Sequence, residues 1–261
     1  MTDKQKQEPV DHTGIHFDDP RYFVENRGHF PLTEVVPGKD QKHGGRIDFM
    51  LSKLVQSGVL ESTPDGKFKL SSGRNEKVSW LDVAAGTAPI ARLVNKQFLE
   101  IIDITSTDIT DTGVKVLENK EKEGLVFIKA DIFKMPFIEN NFEVVSAYDI
   151  MEHLVNPRGA IEECFRVLKP GGLFHIVVPN PYTLFTRANN HKTTYQRDPT
   201  HIVPPIVSTD YFREVLSLIG FISVEVSTRG HAETEEHFRK FGVELFRPDG
   251  GNHIYAWGWK K

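Results

Sequence analysis

Cysteine is nearly missing from this chain. Cys164 is the single one among 261 residues, so an intrachain disulfide is excluded and a reducing compartment, the cytoplasm, is expected. Long apolar runs are missing too. None approaches the ~20 residues that a membrane-spanning helix needs, and Met1 to Asp11 are polar and charged, unlike a secretory signal. An excess of positive charge is also lacking. Lys and Arg number 32 against 36 Asp and Glu, a formal net charge of -4, which leaves no overall electrostatic footprint for nucleic acid. The chain has no internal repeat and no low-complexity tract. Its eleven histidines lack the His-x-x-x-His or Glu-supported spacing of a site on one helix face, so no metal is expected. What is present, 39% hydrophobic and 26% charged residues, suits a soluble globular protein. The length accommodates one large α/β domain with additions rather than two full-sized domains.

Punctuation along the chain divides it at about residue 76. Residues 1 to 44 are polar, broken by Pro9, Pro20, Pro31 and Pro37, and closed by Gly44-Gly45. Phe17, Tyr22, Phe23 and Phe30 give this arm enough apolar surface to pack on a main domain. From Arg46 the positions Ile47, Met50, Leu51, Leu54 and Val55 follow helical spacing up to Gly58. Thr63-Pro64-Asp65-Gly66 then reads as the turn of a hairpin. The expectation is an N-terminal arm, helix and hairpin over 1–76, serving as lid or brace, and a second unit over 77–261.

That second unit alternates strand and helix, the pattern of a parallel sheet covered on both faces. Strands are predicted at 78–83, 101–107, 125–129, 143–148 and 172–178, with helices near 88–97, 111–119, 157–168 and 209–218. Two late strands, 221–227 and 252–259, would add an antiparallel edge. The fold expected is a Rossmann-like, doubly wound, seven-stranded α/β sheet.

The first strand runs through Leu81-Asp82-Val83 into Ala84-Ala85-Gly86-Thr87-Ala88, a turn of small residues before a helix that begins at Pro89. An acid at the strand end and a small-residue turn let the backbone approach a ligand at the sheet's carboxyl edge. Asp108 follows the apolar alternation of the second strand, 22 residues beyond Gly86. That interval suits an acid accepting hydrogen bonds from ribose hydroxyls. Asp131-Ile132 follows the third strand. The fourth ends in Tyr148-Asp149-Ile150-Met151-Glu152-His153-Leu154, and Arg166-Val167-Leu168-Lys169-Pro170-Gly171-Gly172 leads into the fifth. The Gly-x-Gly-x-x-Gly of dinucleotide dehydrogenases is absent, its positions being Ala84, Gly86 and Pro89.

Together these segments resemble the class I S-adenosylmethionine (SAM) methyltransferases, and the Glu-His-Leu and Lys-Pro-Gly-Gly stretches resemble their type 11, ubiquinone/menaquinone-biosynthesis-like branch. The likeness covers roughly residues 78–180. It implies SAM as cofactor, S-adenosylhomocysteine as product, and a cofactor site of Asp82, Ala84, Gly86, Ala88, Asp108, Ile109, Asp131, Ile132, Tyr148 and Asp149. The family's first turn normally carries three glycines. Ala84 and Ala88 replace two of them here. Ala84 is expected to be mild if its φ is negative, whereas the methyl of Ala88 faces the cofactor or the next helix and could cost about 1–3 kcal/mol by overpacking.

Methyl transfer to a hydroxyl can use a base at the crevice mouth. His153 is the first candidate and His201 the second; both have a plain structural alternative. His175 is expected in the core of the fifth strand. The polar insertion 182–205 follows that strand, and its Tyr182, Arg187 and Arg197 are expected to face a polar, anionic acceptor, with a solvated loop as the alternative. Asn180-Pro181-Tyr182 superficially matches the signature of amino-directed nucleic-acid methyltransferases but follows the wrong strand. The partner expected is a small molecule, not a nucleic acid or a membrane. The helix and hairpin also outline a winged-helix fragment like that of dimerising O-methyltransferases, which leaves a homodimer open. The leading reading is methyl transfer to a hydroxyl of a sugar, phosphorylated metabolite or carboxylate-bearing compound. The alternatives are a quinone or lipid-precursor methyltransferase and a catalytically silent protein of the same fold.

Overall fold

The alternation of side chains along one strand shows how the domain is layered. In β3 (Val78–Val83), Val78 and Trp80 join one buried apolar cluster while Leu81 and Val83 join another. A period of two sends successive residues to opposite faces, so both faces of this strand are covered. A computed structural model describes residues 41–111, 115, 125–181, 200–202, 205–229 and 253–261.

The elements follow in the order α1 (Gln41–Gln56), β1 (Leu60–Ser62), β2 (Phe68–Leu70), β3, α2 (Pro89–Phe98), β4 (Ile102–Asp108), β5 (Val126–Lys129), β6 (Phe142–Tyr148), a 3₁₀ turn (Met151–His153), α3 (Pro157–Val167), β7 (Leu168–Pro179), α4 (Thr209–Ile219), β8 (Phe221–Arg229) and β9 (His253–Lys260). β1 and β2 pair as the expected hairpin. The other seven strands form one sheet in the order β5-β4-β3-β6-β7-β9-β8. The pairs among β5, β4, β3, β6 and β7 are parallel, and β9 runs antiparallel between β7 and β8. Strand order reverses between β3 and β6. Ligands in such sheets bind outside the carboxyl ends at that reversal. Here it is flanked by Asp82-Val83-Ala84 on one side and Tyr148-Asp149 on the other.

One face of the sheet carries α1 and α2, with Met50, Leu51, Leu54, Ile90, Leu93 and Val94 buried against Val78, Trp80, Ile102 and Val144. The other carries α3 and α4, with Ile161, Cys164, Phe212 and Leu216 against Leu81, Val145, Phe174 and Ile176. Asn156 accepts from the Gly159 N–H, and Ser208 from that of Tyr211, which caps α3 and α4. Gly172 has no room for a side chain: a Cβ there would stand 2.8 Å from the Lys169 carbonyl oxygen and 2.9 Å from that of Glu143.

Two expectations change. The pair Gly44-Gly45 does not end the arm but lies inside α1. Burial of Ile47, Phe49 and Met50 on the sheet outweighs the cost of two helical glycines, which is about 1 kcal/mol each. The fifth strand starts at Leu168, so Lys169-Pro170-Gly171-Gly172 belongs to β7 rather than to a turn before it. The helix expected at 111–119 falls almost wholly outside the described residues, and so do residues 1–40 and the segment 230–252.

Candidate active site at the carboxyl edge of the sheet

The turn after β3 is wound left-handed. Ala84, Gly86 and Ala88 have φ of 52°, 56° and 54°. That is natural for glycine and costs an alanine roughly 1–2 kcal/mol, because its Cβ crowds the carbonyl. The mild case reserved for Ala84, a negative φ, therefore does not hold, and the main cost at Ala88 is backbone strain. The turn is held from outside: Ala85 N–H donates to the Thr107 carbonyl at 2.8 Å, and Ala88 N–H closes on that of Ala85 at 2.8 Å. Ala88 caps α2 without a side-chain hydrogen bond, and Pro89 occupies the first helical turn. A Cβ built on Gly86 meets nothing within 4 Å. Open space begins there.

The acids beside this turn differ in what they touch. Asp108 at the end of β4 accepts from the Gly86 N–H at 2.8 Å with one oxygen and from the Thr110 N–H and hydroxyl at 2.9 and 2.7 Å with the other. Each carboxylate oxygen has two lone pairs, which leaves room for a ribose hydroxyl as well. Ile109 follows it, half-buried. Asp131 is exposed and accepts from the Phe133 N–H at 2.9 Å, a cap on its own turn, while Ile132 packs on the core. Asp82 is buried and accepts from the Ser146 hydroxyl at 2.7 Å. The same serine receives the indole N–H of Trp80 at 2.8 Å. Burial pushes the Asp82 carboxyl up to about 7, against the pull of the Ser146 hydroxyl and of Arg46. A buried acid in that condition gains from a cation brought to it.

Arg46 is the site residue that the sequence did not disclose. It projects from α1, is buried, and places one terminal nitrogen 3.0 Å from both carboxylate oxygens of Asp149. Its guanidinium carbon lies 4.9 Å from the centre of the Tyr148 ring. The only hint was an arginine beside the apolar stripe of a helix. Tyr148 turns its hydroxyl to His175 Nδ1 at 3.0 Å, inside the face that α1 covers, so its ring under Arg46 is its share in the site. His175 is buried as expected and stacks on Phe49 with ring centres 4.4 Å apart. Asp149 has a φ of 54°, and its N–H donates to Val177 at 2.8 Å.

Glu152 and His153 lie in the 3₁₀ turn just beyond Asp149, and both are buried. Thr200 and His201 return to this place from the far end of the insertion. Ile202 N–H donates to the Glu152 carbonyl at 3.0 Å. His153 Nδ1 lies 3.1 Å from the Thr200 carbonyl oxygen and 2.9 Å from its hydroxyl. A carbonyl only accepts, so Nδ1 carries the hydrogen and the lone pair of the neutral ring is on Nε2. The Nε2 atoms of His153 and His201 are each 3.8 Å from Glu152 Oε1, and the rings are 4.6 Å apart. This grouping lies outside the reach of the helix-spacing test. The spacing test looks along a helix, whereas this carboxylate and two imidazoles converge by tertiary folding, with ligand atoms within 4.8 Å of one another. Tyr182, Arg187 and Arg197 lie outside the described residues.

This edge suits the cofactor that the first-turn motif implies. SAM carries an ammonium and a sulfonium, a carboxylate, a ribose diol and an adenine ring. Asp82 would offer an anion beside the cations, and Asp108 an acceptor for the diol. Arg46 Nε is buried with no acceptor among the described residues, and a ligand carboxylate would supply one. When bound, the cofactor supplies a methyl group on sulfur for in-line displacement; this chain's residues bind it, orient the acceptor and exclude water.

Comparison with known proteins agrees. Residues 81–176 match the methyltransferase domain model of the type 11 family. A sterol 24-C-methyltransferase of Kluyveromyces lactis is 30% identical over 160 residues, 59% of this chain and 43% of that one. A demethylmenaquinone methyltransferase of Thermotoga maritima is 31% identical over 154 residues, 55% of this chain and 66% of that one. The sterol methyltransferases matched are covered over only 26–43% of their length. Among solved structures, a SAM-dependent methyltransferase from Archaeoglobus fulgidus superposes with a TM-score of 0.57 at 19% identity, over 83% of this chain and 94% of that one. The phosphoethanolamine N-methyltransferase 2 of Haemonchus contortus in complex with SAM does so at 0.52 and 17%, over 72% and 50%. Those two likenesses concern the fold alone. No helix among the described residues is long and apolar enough to cross a membrane. With the strand order, the open first turn and the matched domain in agreement, the chain belongs to the class I SAM-dependent methyltransferases of the type 11 family.

Proposed function

We propose that this methyltransferase acts on a hydroxyl oxygen of a small polar acceptor, a sugar, phosphorylated metabolite or carboxylate-bearing compound. The observation that carries the reading is the buried group of Glu152, His153 and His201 just beyond the carboxyl end of β6. Two imidazoles and a carboxylate there can orient a hydroxyl and receive its proton. Tyr182, Arg187 and Arg197 belong to this proposal as contacts to the acceptor's polar groups. Residues 1–76 belong to it as a lid or brace on the 77–261 domain, supported by Arg46 reaching Asp149 from α1. Methylation at carbon of a quinone or lipid precursor is the second reading, favoured by the sterol and demethylmenaquinone relatives.

Turnover with 13C-methyl SAM across hydroxy acids, sugars, phosphorylated metabolites, quinols and sterols separates the two readings, because the methyl carbon's NMR shift distinguishes O–CH3 from C–CH3. An O-methylated polar product is expected; product formed only from the quinol or sterol overturns the proposal. Replacing Arg187 and Arg197 with alanine should raise the acceptor KM, and unchanged kinetics would remove those two residues from it.

A further inference from the structure

We infer that Glu152, His153 and His201 form a binding site for a divalent transition-metal ion. Three observations converge. The donors are one carboxylate and two imidazoles, a set that first-row transition ions accept with coordination positions left open. The Nε2 atoms of both histidines stand 3.8 Å from the same Glu152 oxygen. Donors around a zinc-sized ion, with bonds of roughly 2.0–2.2 Å, are about 3.4 Å apart in a tetrahedron. Closing the two Glu152 edges onto an ion asks a few tenths of an ångström. The third observation is the orientation of His153. Its Nδ1 faces the Thr200 carbonyl and hydroxyl, which turns Nε2 toward Glu152 and His201. Ligating histidines are held in this way, the second ring nitrogen donating to a carbonyl or carboxylate.

His153 comes from the 3₁₀ turn after β6 and His201 from the far end of the insertion, so an ion would also fasten Thr200–Ile202 to that turn. A further role, orienting the acceptor oxygen at an open position while its proton leaves to solvent because the ligating lone pairs are occupied, rests on the function proposed above; binding of the ion does not.

The test uses the full chain, freed of metal with a chelator, and Co2+ alone, with no cofactor or acceptor. Titration should give d–d absorption bands that saturate at one ion per chain. His201→Gln should weaken this binding by more than about tenfold, and Glu152→Gln likewise. Circular dichroism and S-adenosylhomocysteine binding on the metal-free variants show that each has folded. Absence of saturable one-to-one binding in wild type overturns the inference, as does wild-type affinity in a folded His201→Gln protein. Because S-adenosylhomocysteine binding and turnover are measured separately, failure of the metal site is distinguishable from failure of the hydroxyl-acceptor reading.

Discussion

On one side of the crevice, Asp82, Gly86 and Asp108 come from a single strand-turn-helix-strand unit, and hydrogen bonds of that same unit hold the turn: Gly86 to Asp108, and Ala85 to Thr107. On the other side, Glu152 and His153 meet His201 only after the chain has crossed β7 and most of the insertion, and Arg46 reaches Asp149 from a helix that precedes β3. The first side is local and strained, with two alanines in glycine conformations. The second is long-range and buried, with its charged groups facing one another. Local geometry can be written into a motif, while convergence across the fold cannot.

The contrast can be broken at Asp82, where the largest effect is expected. Its folded-state pKa of about 7 lies above the ordinary aspartate value of 3.8. Between those values the folded protein keeps a proton that the unfolded chain has lost. The stability from this group is complete below pH 4 and is lost as pH rises through about 7. Asp82→Asn removes the loss, so its thermal stability relative to wild type should grow from pH 4 to pH 8, by roughly 4 kcal/mol at most at 1.36 kcal/mol per unit. A constant difference across that range would show that Asp82 is not destabilised by burial. Binding of S-adenosylhomocysteine to wild type should strengthen over the same range, as Asp82 ionises and meets the ligand's ammonium. The Asn variant should lack that trend.

A smaller effect is expected at Asp108. Alanine there removes acceptors from Gly86 and Thr110 as well as from a ribose, and affinity for S-adenosylhomocysteine should drop by roughly 1.5–3 kcal/mol, the range of hydrogen bonds to charged groups. Calorimetry that returns wild-type affinity would mean another acid meets the ribose.

The smallest effect sharpens the comparison most. Ala84→Gly and Ala88→Gly relieve about 1–2 kcal/mol of left-handed strain each and add back about 0.5–1 of chain entropy. Denaturant melts should show each variant more stable by roughly 0.5–1 kcal/mol. Ala85→Gly, at a residue without positive φ, should be less stable by a similar amount. Equal loss in all three would show that the turn is unstrained.

Much of the sheet is legible in the sequence, because short apolar strand runs and the period-3.6 helices between them are local patterns. The helix runs through Gly44-Gly45, where burial of Ile47 and Met50 overrides a propensity worth only about 1 kcal/mol per glycine. On the cofactor side the sequence supplied Asp82, Gly86 and Asp108, but not the sign of φ at Ala84. Backbone conformation at a non-glycine turn residue is set by what the flanking strand and helix require, and no side chain announces it. Across the crevice the sequence offers His153 and His201 singly, and Glu152 only as part of a motif.

The sequence by itself determined that a parallel sheet presents small residues and acids at its carboxyl edge, since strand alternation, a small-residue turn and an acid one βαβ step later are neighbours in the chain. Only the tertiary structure decided that Arg46 meets Asp149, and that Glu152, His153 and His201 share one buried space. Those contacts join residues whose separation along the chain carries no period, so distance in space, and not order in sequence, gives them their chemistry.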